Sequence, residues 1–157
     1  MSEQRTDHDL IIVENPPPAD VDAIFAIIRA YNDARIDVWR PQRLGIFVRD
    51  AHDQILGGIY ILIARGWMYL DGLAVTETVR HQGLGSQLLT RAENEARQRG
   101  CHHAWLETYS FQAKPFYERH GYRVFGFLND YPIGHERYFM QKSLRDEPSP
   151  CYATLSP

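Results

Sequence analysis

Apolar and polar residues alternate along the chain with two different periods. Apolar residues recur at helical spacing over residues 19–34, and again from residue 84 to a stop at Gly100. A shorter helix is predicted over residues 112–121. Short runs rich in β-branched and aromatic residues predict strands at residues 10–14, 44–50, 55–65, 66–75, 103–109, 122–128 and 136–144.

The order of these elements predicts the fold class. After the first predicted strand and helix come an ambiguous segment, "RIDVWRPQ", and then the order β-β-β-α-β-α-β-β, which indicates a mixed α/β sheet. The helix between the fourth and fifth predicted strands suits a right-handed crossover between parallel strands. We expect one domain over residues 1–144 and a proline-containing tail over residues 145–157.

Composition and charge narrow the class of protein. The chain has 157 residues, 44% of them hydrophobic, and a net charge of −3, so we expect no nucleic-acid or membrane partner. Cys101 and Cys151 are far apart and form no CxxC pair, which argues against zinc and fits a reducing compartment. The polar start "MSEQRTDHDL" has no apolar signal core. We expect a cytoplasmic protein without a metal ion.

The segment "VRHQGLGSQLL", residues 79–89, joins a predicted strand to a helix. Backbone N–H groups at a helix start have no intrahelical acceptor and carry the positive end of the helix dipole. Gly83 and Gly85 allow close approach of a ligand, and Arg80 adds a cation. The segment lacks the P-loop ending and the dinucleotide GxGxxG pattern. It is therefore either a diphosphate cradle or a glycine-rich connection.

Two segments together resemble the GNAT superfamily of acyl-CoA-dependent N-acyltransferases. "LAVTETVRHQGLGSQLL" contains R-x-x-G-x-G, and "WLETYSFQAKPFYERHGYRVFG" contains the later A-x-x-x-Y-x-x-x-G-Y pattern, which begins at Ala113. The "FQA…FYE" and "DYPxGH" segments resemble small bacterial acetyltransferases. The motifs span residues 70–127. Many members have Asn where this chain has Ser110.

The resemblance implies a GNAT-like single domain whose mostly antiparallel sheet is splayed between strands 4 and 5 and flanked by helices. It also implies acetyl-CoA as cosubstrate. Its pantetheine arm would add to the fourth strand, with Ser110 or Gln112 in the role of the missing Asn, and its diphosphate would meet the N–H groups of residues 80–86. The implied cofactor-binding residues are Leu73, Ala74, Val75, Arg80, His81, Gln82, Gly83, Leu84, Gly85, Ser86, Ser110, Gln112 and Phe116.

The resemblance further implies a transfer by direct attack of an amine, without a covalent enzyme intermediate. Tyr117 matches the residue that protonates the departing thiolate, and a phenol is protonated at neutral pH. Asp71 and Glu107 are both candidates for the base or the amine anchor, directly or through water. If its strand alternates simply, Asp71 shares a face with Leu73 and Val75. Either carboxylate could equally be a polar residue on a solvated sheet face.

The acceptor is expected to be the primary amine of a small molecule or peptide. The resemblance implies that its cleft is lined by the first helical region and the late strand loops, which makes the candidate binding residues Tyr31, Asp33, Trp39, Asp130 and Tyr131. Two other classes stay open: a non-catalytic acyl-CoA-binding or regulatory module, and a nucleotide-binding domain of another kind. Dimers are frequent in the superfamily, so a homodimer is an alternative to a monomer.

Overall fold

The computed structural model describes residues 10–36 and 41–145, which fall into two compact units divided after residue 39. The first unit contains helix α1 (Pro18–Asp33), which confirms the predicted helix to within one residue at each end. The strand predicted at residues 10–14 is wrong, because these residues have no regular structure. β-Branched residues favour a strand, but only pairing with a neighbour makes one.

The second unit contains the sheet. Its elements are β1 (Gln42–Arg49), β2 (Ile55–Ala64), β3 (Trp67–Val75), a 3₁₀ turn (Glu77–Val79), α2 (Leu84–Gln98), β4 (His103–Tyr109), α3 (Lys114–Arg119), β5 (Arg123–Leu128) and β6 (Arg137–Ser143). All six strands predicted after residue 40 are confirmed, and so are both helices. The 3₁₀ turn was not predicted.

The six strands form one sheet in the order β1-β2-β3-β4-β6-β5. Neighbouring strands are antiparallel except β3 and β4, which are parallel and joined through α2. The predicted mixed α/β class and parallel crossover are therefore confirmed. The last strand, β6, inserts between β4 and β5, so the chain order of the strands is not their order in the sheet.

β3 and β4 pair over only part of their length. Their register runs from Trp67↔His103 to Leu70↔Leu106, and beyond it β3 continues to Val75 without β4 as a partner. β4 stays paired with β6 as far as Tyr109. A gap therefore opens between β3 and β4, which are the predicted fourth and fifth strands. This is the predicted splay.

The core of the second unit lies between α2 and one face of the sheet. The buried side of α2 presents Leu88, Leu89, Ala92 and Ala96 at helical spacing. Alternate strand residues pack beneath it, and the largest fully buried ones are Ile59, Ile61, Met68, Leu106 and Met140. This packing fixes β3 and β4 where they pair and ends close to where they diverge.

The predicted C-terminal tail lies almost wholly outside the described residues. Of the tail predicted over residues 145–157, only Arg145 lies within the described residues. Single-domain organisation over residues 1–144 stays a prediction. Among the described helices, none is long and apolar enough to cross a membrane.

Candidate active site

A β-bulge interrupts β3 at Asp71. In the ladder with β2, Tyr60 is opposite Gly72 and Ile61 is opposite Leu70, which leaves Asp71 without a partner. A bulge changes which face the following side chains occupy. Met68 and Leu70 face the core before the bulge, whereas Leu73 and Val75 pack against it afterwards. The simple alternation that would have placed Asp71 on the face of Leu73 and Val75 is therefore wrong.

The bulge also sets the direction of the backbone groups of β3. The N–H of Thr76 donates to the carbonyl of Leu56 at 2.8 Å. Hydrogen-bonded and non-hydrogen-bonded pairs alternate along an antiparallel ladder, so Ala74 directs its backbone groups to β2. Leu73 and Val75 direct theirs to the opposite side, where β4 has diverged. The resemblance implied that Leu73, Ala74 and Val75 all offer backbone groups to a ligand. In the structure Ala74 does not, because its groups point to β2.

The gap between the strands leads into a cavity of about 570 Å³. Its walls come from β3, β4, the glycine loop and the start of α3. Six of the predicted residues line it: Asp71, Leu73, Arg80, Glu107, Gln112 and Tyr117. Candidates from four separate segments therefore share one cavity.

Tyr117 is held tightly at this cavity by other aromatic rings. It is 7% exposed, and its ring makes edge contacts with Phe116 and Tyr122 at 5.1 and 5.9 Å between centroids. Its hydroxyl has no hydrogen-bond partner among the described residues. Burial raises the pKa of the phenol above its ordinary value of 10.0. Tyr117 therefore keeps its proton at neutral pH and can donate it to a ligand.

Glu107 is already engaged by a cation. The guanidinium of Arg137 on β6 donates to Glu107 Oε1, and the hydroxyl of Tyr69 lies 3.5 Å from the same oxygen. Arg137 also lies over the rings of Tyr109 and Tyr131, at 5.5 and 4.9 Å from their centroids. This ion pair gives Glu107 a structural partner that nothing in the local sequence indicated.

Asp71 differs from Glu107 in being exposed on the bulge. It has no ion-pair partner among the described residues, although its charge acts on the hydroxyl of Tyr69. The pKa of Tyr69 is raised to about 12, first by burial and then by the negative charges of Glu107 and Asp71. Of the two candidate carboxylates, Asp71 is the one without a cation beside it.

The glycine loop presents a row of unpaired backbone donors. The N–H of Arg80 donates to the carbonyl of Glu77 at 3.2 Å, so the row does not begin at Arg80 as expected. The N–H groups of residues 81–86 find no acceptor within the described part of the chain. The first bond of α2 is from Gln87 to the carbonyl of Gly83, at 3.1 Å. These donors include those at the N-terminus of α2, which is the positive end of its dipole.

Gly83 and Phe116 give the loop its shape. Gly83 precedes α2 with φ +75°, a conformation that side chains rarely adopt, so glycine is favoured there. Gly85 lies beneath the ring of Phe116, whose atoms are 3.6 Å from where a Cβ would be. Phe116 therefore packs α3 onto the first turn of α2.

The two candidates for the missing Asn have different positions. Gln112 lines the central cavity, but its Oε1 accepts hydrogen bonds from Thr108 Oγ1 and the N–H of Tyr109. Ser110 instead lines a second cavity of about 440 Å³ beside the β5–β6 loop. Its Oγ accepts from the N–H of Glu136 at 3.2 Å. Of the two, only Gln112 lies at the central cavity.

The predicted acceptor-binding residues belong to separate parts of the chain, and their shared role stays a prediction. Tyr31 and Asp33 belong to α1 in the first unit, and Trp39 lies outside the described residues. Asp130 lines the second cavity and accepts the N–H of Gly134 at 3.1 Å, which gives it a role within the loop. The ring of Tyr131 is parallel to that of Tyr109, at 6.4 Å.

Several residues of this site were missed from the sequence. Gly72 and Thr108 line the central cavity, and Arg137 neutralises Glu107. The dipeptide Asp71-Gly72 inside a strand was a usable signal, because an isolated glycine in a strand often marks a bulge. Among the described residues, no group of His, Cys, Asp and Glu side chains could hold a metal ion.

Comparison with known proteins identifies the family of this chain. The model of the acetyltransferase (GNAT) family matches residues 13–122. An acetyltransferase of Agrobacterium fabrum is 37% identical over 127 residues, which cover 79% of this chain and 93% of that protein. Blasticidin-S acetyltransferase of Streptomyces morookaense is 39% identical over 92 residues, which cover 58% of this chain and 68% of that protein.

A solved structure agrees with these relatives. The crystal structure of an acetyltransferase from Bacillus cereus is 33% identical to this chain, with a TM-score of 0.77, and covers 85% of this chain and 97% of that one. The chain belongs to the GNAT family of acetyltransferases, and the predicted family is confirmed.

Proposed function

We propose that this protein transfers an acetyl group from acetyl-CoA to the primary amine of a small molecule, by direct attack in a ternary complex. The observation that carries the proposal is the single cavity lined by Asp71, Leu73, Arg80, Glu107, Gln112 and Tyr117. It lies where β3 and β4 diverge, next to a row of unpaired N–H groups. Membership of the acetyltransferase family supports the same reaction.

The donors and acceptors of this region fit an acyl-CoA. The N–H groups of residues 81–86 suit a diphosphate, because they are unpaired and lie at the positive end of α2. The backbone groups of Leu73 and Val75 suit the amides of an extended pantetheine arm, which would complete the unpaired edge of β3. One of these N–H groups stabilises the negative charge that develops on the thioester oxygen.

Two side chains accept and donate the protons of the transfer. A carbon–nitrogen bond forms to the amine while the carbon–sulfur bond breaks. Asp71 takes the proton that the ammonium must lose, directly or through water, and Tyr117 gives a proton to the departing sulfur. Glu107 is the weaker candidate for base because Arg137 occupies Oε1. It helps to hold the carboxylate-rich wall of the cavity in place.

Asp71 also suggests the charge of the acceptor. It lines the cavity and has no ion-pair partner among the described residues, so a cationic amine is favoured over an anionic one. The relative named blasticidin-S acetyltransferase supports a small molecule as acceptor.

A panel of amines tests this proposal. Purified protein with acetyl-CoA and each amine in turn is assayed for release of the CoA thiol, and mass spectrometry checks the product for an added acetyl group. We expect turnover with at least one small primary amine. Tight binding of acetyl-CoA without turnover across a broad panel would contradict catalysis and favour a non-catalytic acyl-CoA-binding module.

A further inference from the structure

His120 bridges two parts of the proposed CoA site. Its Nδ1 lies 2.8 Å from the carbonyl oxygen of Phe116, and its Nε2 lies 3.0 Å from Oγ of Ser86. Phe116 precedes Tyr117 on α3, whereas Ser86 is in the first turn of α2. The half-buried imidazole therefore connects the helix of the proposed acid to the turn that faces the proposed diphosphate.

The hydrogen-bonding partners determine where the protons lie. A carbonyl oxygen can only accept, so Nδ1 of His120 must carry a proton. In the neutral imidazole Nε2 is then bare and accepts the hydroxyl proton of Ser86. In the imidazolium Nε2 also carries a proton and donates it to Ser86 Oγ. The Ser86 hydroxyl proton is then released to point elsewhere.

From this arrangement we propose that His120 is a positioning residue for the CoA diphosphate, and that it acts through Ser86. This inference rests on the proposed function. When the diphosphate binds, one proton from solvent adds to Nε2 of His120, and the Ser86 hydroxyl turns to donate to a diphosphate oxygen. The imidazolium also offsets the negative charge of the ligand. CoA binding is thereby coupled to proton uptake.

Among the described residues, no titratable side chain of α3, α2 or β6 makes an ion pair with His120. Lys114, Tyr117, Glu118 and Arg119 are on α3, Arg91, Glu93 and Glu95 are on α2, and Lys142 is on β6. The carboxylates among them are already paired: Glu118 with Lys114, Glu95 with Arg91, and Glu93 with Lys142. The proposed ionic partner of a His120 imidazolium is therefore the docked anion. Without a ligand, the positive end of α2 disfavours the imidazolium.

Calorimetric titration of dephospho-CoA tests the coupling. This ligand keeps the diphosphate but lacks the 3′-phosphate, whose own titration near pH 6 would confuse the result. We expect the wild-type protein to bind about three- to tenfold more tightly at about pH 6 than at about pH 8, since one linked proton allows at most tenfold per pH unit. Titrations in two buffers of different ionisation enthalpy should report net proton uptake.

Three variants separate the parts of the proposal. His120→Gln should lose the pH dependence, whereas the matched His52→Gln, at an exposed turn, should keep it. Ser86→Ala should weaken binding about threefold or more at about pH 6 and by a smaller factor at about pH 8, because only the imidazolium releases the hydroxyl. Equal pH dependence in wild type and His120→Gln would overturn the proposal.

A measurement on the wild-type protein keeps the test independent of variant folding. The nitrogen NMR spectrum of the neutral His120 ring should show a protonated Nδ1 and a bare Nε2. The opposite tautomer would overturn the proposal. Failure of the wild-type protein to bind dephospho-CoA at any pH would instead contradict the proposed function itself.

Discussion

The two halves of β3 have different surroundings. From Trp67 to Leu70, β3 is paired with β4, and its inward side chains are buried under α2. From Asp71 to Val75 the same strand has lost β4, carries a bulge and borders the cavity. The first half shows what a parallel pair needs for stability. The second half shows what becomes available to a ligand when the pairing stops.

This contrast shows where the domain leaves strand backbone groups available to the proposed extended ligand. In the paired half the backbone groups of both strands are satisfied by one another. In the open half those of Leu73 and Val75 are left for another partner, and the bulge leaves Asp71 exposed beside them. The following predictions test whether the two halves are as separate as the geometry indicates.

The largest effect is expected from Tyr117→Phe, in the open half. Loss of the proposed acid should lower kcat by about 10²- to 10⁴-fold, while the ring contacts with Phe116 and Tyr122 remain. Steady-state kinetics and acetyl-CoA binding should show that affinity changes much less than turnover. Unchanged kcat would remove Tyr117 from the chemistry.

A pair of leucine truncations compares the stability of the two halves. Leu106 is fully buried, so Leu106→Ala should lower the free energy of unfolding by about 2–5 kcal/mol. Leu73 packs only partly against the core, so Leu73→Ala should cost less than half as much. Urea denaturation measures both. Equal costs would show that the open half is as important for folding as the paired one.

The two carboxylates should differ in their effect on the reaction. Asp71→Asn should lower kcat/KM by about tenfold or more, because it removes the proposed proton acceptor. Glu107→Gln should have the smaller effect on kcat/KM and the larger effect on stability, because it leaves Arg137 without its ionic partner. The reverse order would make Glu107 the base and the bulge incidental.

The smallest effect is an alkaline change in stability. Tyr117 has a raised pKa in the folded state, so above about pH 10 the unfolded chain loses this proton before the folded one does. Stability therefore falls as pH rises from about 10 toward the raised pKa. Tyr117→Phe should reduce this loss by up to about 1.4 kcal/mol per pH unit, measured by denaturation at several alkaline pH values. If the fall of stability with pH were the same in Tyr117→Phe and wild type, burial would not raise the pKa of this phenol.

Patterns in consecutive residues predicted most of the elements, because helices and turns form between residues that are close in sequence. The helical period of α2 and the turn at residues 50–54 between β1 and β2 both depend on neighbours within a few residues. The strand expected at residues 10–14 failed for the opposite reason. A β-branched run has the propensity for a strand, but a pairing partner must be supplied from elsewhere.

The candidate site was predicted in part. Two motifs led to Tyr117, Gln112 and the glycine loop, which the cavity and the row of unpaired N–H groups bring together. The row begins one residue later than expected, because the N–H of Arg80 is used within the 3₁₀ turn. Ser110 faces the β5–β6 loop instead, because hydrogen bonds with Glu136 hold it there.

By itself the sequence determined the family, most of the elements and the candidate site residues, since motifs and hydrophobic periods are written in consecutive residues. Only the tertiary structure decided that β6 inserts between β4 and β5 and that Arg137 thereby reaches Glu107. It also decided that a bulge exposes Asp71 where β3 leaves β4. These features depend on hydrogen bonds between segments far apart in the chain, whose partners local sequence does not specify.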